Sequence, residues 1–253
     1  MILSRLEFKY LVPLNLLSNI RKAVLNYMRY DPYAEIRETK DYTVRSIYFD
    51  TADLMCYNEK YEGYKKRNKY RVRVYNERRA ESIAFLEIKR KNENFISKDR
   101  AKLLFSNLEN VLSSKNIGEY LLTQNNGNDN YLNASKFLFH YYSKQLVSSS
   151  LVVYEREAFI GKFGLELRVT FDKNLRGSIK PIYDNIYEES KNRHVFPDSF
   201  ILEIKFHQTI PAWIPQLINK HRLQRISISK YTNIIDINKR QLPRTKQLDL
   251  LRN

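Results

Sequence analysis

Three glutamates each stand two residues before a lysine: Glu7-Phe8-Lys9, Glu87-Ile88-Lys89 and Glu203-Ile204-Lys205. In an extended chain residues two apart share a face, so each motif presents a carboxylate beside an ammonium. Such a carboxylate can hold a hard divalent ion, Mg2+ or Mn2+, which takes oxygen ligands and completes its shell with substrate phosphates. It can also simply neutralise its neighbours as an ion pair. A second pattern, Lys69-Tyr70-Arg71-Val72-Arg73, puts cations at alternate positions. At about 3.3 Å per residue the two guanidinium forks stand roughly 7 Å apart, a spacing that suits successive phosphates, each gripped by two hydrogen bonds. A solvated basic strand is the plainer reading. Lys9, Lys89, Lys98, Arg100, Arg156 and Arg168 fall in further strand-like segments. So much like charge on converging faces calls for an anion.

Strands must position these groups. Apolar and polar residues alternate over 4–12, 43–50, 69–76, 84–91, 95–100, 151–160, 165–172 and 200–206, the period of a strand with one apolar face. Eight strands is near the number that closes into a small barrel. The expected fold class is therefore α+β: an antiparallel eight-stranded β-barrel, its charged faces turned inward as a tunnel, with helices packed on the outside. Helical stripes appear at Leu17, Ile20, Val24 and Tyr27, at Leu104, Leu108, Val111 and Leu112, and at Phe137, Leu138 and Tyr141, with a further helix over 229–240. The stretch 124–132 reads as a polar loop, and Pro211 and Pro215 read as turns. No domain boundary is evident, so residues 1–253 are expected to form one domain.

Composition bounds the chemistry. The chain has 253 residues, Lys+Arg 44 against Asp+Glu 28 and a net charge of +16, an excess that needs a polyanionic partner or substrate. With 43% hydrophobic and 13% aromatic residues it is not a disordered basic tail. Only six glycines occur, and neither GxGxxG nor GxxxxGK[ST] is present, so side chains rather than a glycine-rich cradle must bind any phosphate. The single cysteine, Cys56, excludes intramolecular disulfides and cysteine-cluster zinc sites and fits a reducing, cytoplasmic setting. The four histidines show no HExxH spacing, and no nucleophile elbow is found. Arg5, Glu7 and Lys9 interrupt the apolar N-terminus, which argues against a signal peptide or membrane span. The charge and the basic stretch 239–252 also admit a nucleic-acid-binding module. Against it, acids alternate with the basic residues, and no RRM, KH or helix-turn-helix pattern occurs.

Arg5-x-Glu7-x-Lys9-Tyr10, VRSIYFDT (44–51), KYRVRVY (69–75), FLEIKRK (85–91), SKDR (97–100), YERE (154–157), LRVTFD (167–172), FILEIKF (200–206) and Ser229-Lys230-Tyr231 resemble, in that order, the VTC domain. This is the polyphosphate-polymerase branch of the triphosphate tunnel metalloenzymes, and the resemblance covers nearly the whole chain. It implies a single tunnel domain that transfers the γ-phosphoryl group of ATP to inorganic polyphosphate or pyrophosphate with Mn2+ or Mg2+. By motif, Arg71, Arg73, Lys89, Lys98, Arg156 and Arg168 are the implied catalytic phosphate ligands. Lys9, Arg100, Lys205 and Lys230 are the implied further substrate-binding residues. Glu203 is the principal implied metal ligand, with Glu7 and Glu87 beside it in role. The wider superfamily begins with ExExK; here Arg5 takes the first acidic position, which reduces the carboxylates available and fits the polymerase branch better than the hydrolytic one. A triphosphatase using water as acceptor is the alternative within the family.

Overall fold

The structure, a computed structural model, describes residues 5–239 apart from Asn94, Lys115, residues 123–126, Phe163 and Leu165. The basic stretch beyond Lys239, the expected strand residue Leu165 and the first part of the loop expected at 124–132 lie outside the described residues. The elements are β1 (Arg5–Pro13), α1 (Leu17–Tyr27), β2 (Met28–Tyr30), α2 (Pro32–Glu35), β3 (Tyr42–Asp50), α3 (Met55–Tyr61), β4 (Lys66–Tyr75), β5 (Ile83–Asn92) and β6 (Phe95–Leu104). After them come α4 (Leu108–Ser113), α5 (Gly127–Ser143), β7 (Val147–Gly161), β8 (Leu167–Ile179), β9 (Arg193–His194), β10 (Ser199–His207), α6 (Trp213–Lys220) and α7 (Lys230–Lys239). Each of the eight expected strands is present. The polar loop gives way to helix from Gly127, Leu104 closes a strand rather than opening a helix, and Pro215 sits inside α6, near enough to its start for the missing N–H to cost nothing.

The chain divides into two compact units. One comprises the described residues of Met1–Thr43, Tyr154–Leu175 and His194–Ser229; the other those of Val44–Val153, Arg176–Arg193 and Lys230–Asn253. Strands β7 and β8 each contribute residues to both. In the first unit β1 pairs antiparallel with β10, and β10 with β8. Tyr10, Val169, Phe171, Leu202, Ile204 and Phe206 share one face of these strands and form a core with Ile20 and Val24 of α1 and Ile214 and Leu217 of α6. In the second unit β3, β4, β5 and β6 pair in sequence. Tyr70, Val72 and Val74 of β4 and Leu86 and Ile88 of β5 pack with Phe137 and Leu138 of α5 and Leu108 and Val111 of α4. Gly177 of β8 is required sterically, since a Cβ there would stand 2.0 Å from the Leu151 carbonyl oxygen and 2.9 Å from Ile234 of α7.

The strands follow the hydrogen-bonded order β1-β10-β8-β7-β3-β4-β5-β6, with β2 on β7 and β9 on β8. The expected closed eight-stranded barrel is corrected here: the order ends at β1 and β6, and no pairing joins them among the described residues. The reason is local, because both end strands already have partners along their outer edges. Ile226 N–H donates to the Lys9 carbonyl at 2.9 Å beside a Tyr10–Arg225 bridge, and Leu122 N–H donates to the Lys102 carbonyl at 3.1 Å beside a Leu103–Leu121 bridge. Asn130 adds its amide to the same edge, accepting from Lys102 N–H at 2.7 Å and donating to its carbonyl at 2.9 Å.

Candidate functional site

In the second unit, strand parity and register together build a cationic face. Arg71 of β4 lies opposite Glu87 of β5, and Glu87 lies opposite Arg100 of β6. The Glu87 side chain is 0% exposed. One of its oxygens accepts from Arg71 Nε at 2.6 Å and the other from Arg100 Nε at 2.6 Å, while Arg73 stands at 3.9 Å and Lys98 at 3.5 Å. Burial pushes the Glu87 carboxyl up, but the four surrounding cations outweigh it and hold the group well below the usual carboxylate range. Burial also pushes the Lys98 ammonium down, against the pull of Glu87. Arg71 donates to the Tyr48 hydroxyl at 2.8 Å and Arg73 to Ser46 Oγ at 3.1 Å. On the same face Lys69, Lys89 and Lys98 stand abreast on three neighbouring strands.

Lys230 belongs to this unit too, as the first residue of α7. Its neighbour Tyr231 donates its hydroxyl to Asp50 at 2.5 Å and stacks on Tyr48 with ring centroids 5.1 Å apart. Burial would raise the Tyr48 phenol, yet Arg71, Arg73 and then Lys230 bring it below its ordinary value. The field of Lys230 is thus felt at the phenol that Arg71 contacts.

The first unit carries a checkerboard of opposite charges. The β1–β10 register sets Glu7 opposite Lys205 and Lys9 opposite Glu203. Lys9 Nζ lies 2.9 Å from Glu7 and 3.5 Å from Glu203, and Lys205 Nζ lies 3.0 Å from Glu203 and 3.9 Å from Glu7. Burial pushes the Lys205 ammonium down although both glutamates oppose it. Arg156 grips Asp172 with two hydrogen bonds, 2.6 and 2.7 Å, and stands 3.7 Å from Glu203. Arg168, opposite Lys205 in β8, turns its guanidinium to Asp31 at 2.8 Å.

A hard divalent ion is commonly held by one or two carboxylates, with phosphates and water filling its octahedron. Glu203 and Glu7, paired with Lys9 and Lys205, are the carboxylates that could meet that need; no group of three or more His, Cys, Asp or Glu suited to a metal occurs among the described residues. Glu87 does not fit, because guanidiniums occupy both its oxygens. Its contacts match the ion-pairing alternative. Sequence reasoning missed Asp172 and Asp31 as partners of Arg156 and Arg168, and Asp50 as the anchor of Tyr231. Asp172 was visible as a polar-face strand residue, but only register shows which cation it meets.

A family model described as the VTC domain matches residues 4–237. The chain belongs to the VTC domain family. That family is associated with polyphosphate synthesis, and the ordered motifs from Arg5 to Tyr231 span the matched segment of this VTC domain. No curated protein matches the chain. Among solved structures, PH1819 protein from Pyrococcus horikoshii OT3 aligns over 92% of this VTC domain and 98% of its own chain, at 11% identity and a TM-score of 0.42, a likeness too slight to carry an argument. No helix among the described residues is long and apolar enough to cross a membrane.

Proposed function

We propose that this VTC domain transfers the γ-phosphoryl group of ATP to the end of an inorganic polyphosphate chain, with orthophosphate or pyrophosphate as first acceptor. The observation that carries the reading is the face of β4, β5 and β6, where Arg71, Arg73, Lys98 and Arg100 converge on one buried carboxylate and Lys98 stands abreast of Lys69 and Lys89. Like charges set directly opposite destabilise a sheet, so this face is built for a polyanion. Phosphoryl transfer asks positioning and charge neutralisation of a protein. Arg71 and Arg73 grip successive phosphates, Lys89, Lys98 and Arg100 neutralise the chain beside them, and Lys230 adds charge from α7. Glu87 keeps the guanidiniums of Arg71 and Arg100 aimed before substrate arrives.

In the first unit, Lys9, Arg156, Arg168 and Lys205 are the further phosphate ligands, and Glu203, with Glu7, holds Mn2+ or Mg2+. The metal supplies charge neutralisation on the phosphate oxygens. An acceptor phosphate oxygen forms the new P–O bond to the γ-phosphorus as the β–γ bridging bond breaks, and ADP leaves with the electron pair.

The test is incubation with ATP and Mn2+, with products resolved by gel and 31P NMR. Chain resonances that grow with time support the polymerase reading. Free orthophosphate without chains overturns it in favour of the triphosphatase.

A further inference from the structure

A second basic site lies elsewhere in the second unit. Arg45 alternates with Ser46 on β3 and so points away from the face that carries Arg71 and Arg73. Arg45 and Arg176 are only 9% and 8% exposed, and both converge on one carboxylate. Arg45 Nη1 donates to Glu189 Oε1 at 2.5 Å, and Arg176 Nε donates to Glu189 Oε2 at 2.5 Å. Two buried guanidiniums forked around one anion is the donor geometry that phosphate also takes. The occupying carboxylate comes from an irregular segment, 188–192, rather than from the sheet. Nearby in that segment, Asn192 has both side-chain amide atoms buried without a hydrogen-bond partner, a cost that this docked position of the segment bears.

A cavity of about 270 Å3 in the same unit is lined by Arg78, Arg79, Ala80, Phe105 and Ser106. The Phe105 ring on its wall meets Tyr187 edge-on with centroids 5.3 Å apart, and the Arg45 guanidinium lies 5.8 Å from the Tyr187 centroid. Arg78 in turn lies 5.4 Å from the Phe105 centroid. Tyr187 thus touches both the cavity wall and Arg45, and the Glu189 side chain is itself 32% exposed to solvent.

We propose that Arg45 and Arg176 form a second phosphate-binding site and that Glu189 occupies it as a built-in competitor. The class of ligand is inorganic pyrophosphate or the terminal phosphates of a polyphosphate chain. A tethered competitor acts at an effective concentration on the order of millimolar, so an anion must exceed that advantage to enter. None of these residues belongs to the candidate clusters above, and the site stands whether or not the chain makes polyphosphate.

Calorimetric titration of the full chain with pyrophosphate tests this. Glu189→Gln keeps the shape and removes the charge. It is expected to add one binding event per chain, at least about tenfold tighter than wild type shows there, as expected when a tethered competitor is removed. That added event should disappear in Glu189→Gln combined with Arg45→Gln. Any binding at the β4–β6 face is common to all of these proteins and drops out of the comparison. A folded Glu189→Gln protein with unchanged stoichiometry overturns the proposal and leaves Glu189 as a tie for its loop. Should that variant fail to fold, amide exchange on the wild type decides. Saturating pyrophosphate should raise exchange across 188–192 by displacing Glu189, and unchanged exchange there overturns the proposal.

Discussion

Glu87→Gln removes one negative charge from the centre of four positive ones while leaving the side chain's size almost unchanged. Removing one partner from a buried ion pair costs about 3–5 kcal/mol, because the remaining charge stays buried without its counter-ion. Here Arg71 and Arg100 each lose a 2.6 Å charge-assisted hydrogen bond to that carboxylate. In a chain of this size about 1 kcal/mol moves the melting temperature by roughly 2–4 °C, so a fall of roughly 10 °C is expected in buffer free of multivalent anions. Pyrophosphate at a hundred times its dissociation constant returns about 2.7 kcal/mol to any protein that binds it only when folded. It should return more to the variant, because the anion then neutralises cations that Glu87 no longer serves. The pH dependence has a definite sign. The folded-state carboxyl lies well below its ordinary value of 4.5, so its stabilisation is fully present above that ordinary value and is lost as pH falls through the folded one. The gap between wild type and variant should therefore stay flat from about pH 6 to 8 and close only in strong acid. Differential scanning fluorimetry, with and without pyrophosphate, reads all of this. A melting temperature within about 3 °C of wild type, a difference of no more than about 1 kcal/mol, or an equal pyrophosphate gain in both proteins, would refute the view of Glu87 as the charge anchor of an anion-binding face.

Glu203→Gln should lower metal-dependent turnover by about 100-fold or more, roughly 2.7 kcal/mol of transition-state stabilisation, while circular dichroism shows a folded chain, since Glu7 still partners Lys9 and Lys205. Unchanged metal-dependent turnover would remove Glu203 as a ligand. Gly177→Ala forces a methyl against the Leu151 carbonyl, a backbone atom that cannot swing aside. A loss of about 3 kcal/mol in urea unfolding, the upper end of the usual cost of overpacking, is expected, and an unshifted midpoint would contradict the close approach of β7 and β8 there. Cys56 is 2% exposed, and burial, then Asp50, push its thiol far up. Iodoacetamide should therefore label it only after unfolding, and rapid labelling of the native chain would refute that burial.

Strand parity was legible because alternation is a local property. Lys69, Arg71 and Arg73 share a face, and so do Glu87 and Lys89, as the two-residue period requires. What parity could not supply was register. Arg168 and Asp31 meet across 137 positions, and nothing in either neighbourhood names the other. Glu87 looked equivalent to Glu7 and Glu203 because all three share one local motif; the difference lies in β6, which brings Arg100 and Lys98 to one of them alone. Helix α3 escaped notice because it is short and is started from outside itself, Asp50 accepting from the backbone N–H groups of Cys56 at 2.8 Å and Tyr57 at 3.0 Å. Barrel closure was misjudged for a related reason. Eight strands suffice to close a sheet, but the edges decide, and the segments that cover them at 121–122 and 225–226 carry no strand pattern of their own.

Those covered edges bear on the behaviour of the chain in a crowded solution. An outer strand with a bare row of N–H and C=O groups invites a strand from another molecule, which is how ordered aggregates start. Along β6 the Asn130 amide imitates a partner strand at Lys102, and along β1 the Ile226 N–H and the Lys9 ammonium, which reaches the Ile228 carbonyl at 3.2 Å, fasten the covering segment. The lysine to which the proposed function gives a phosphate thus helps to seal an edge. On that proposal, a polyanion that pulled Lys9 away would loosen the seal, and resistance to self-association would be coupled to phosphate occupancy through a single side chain.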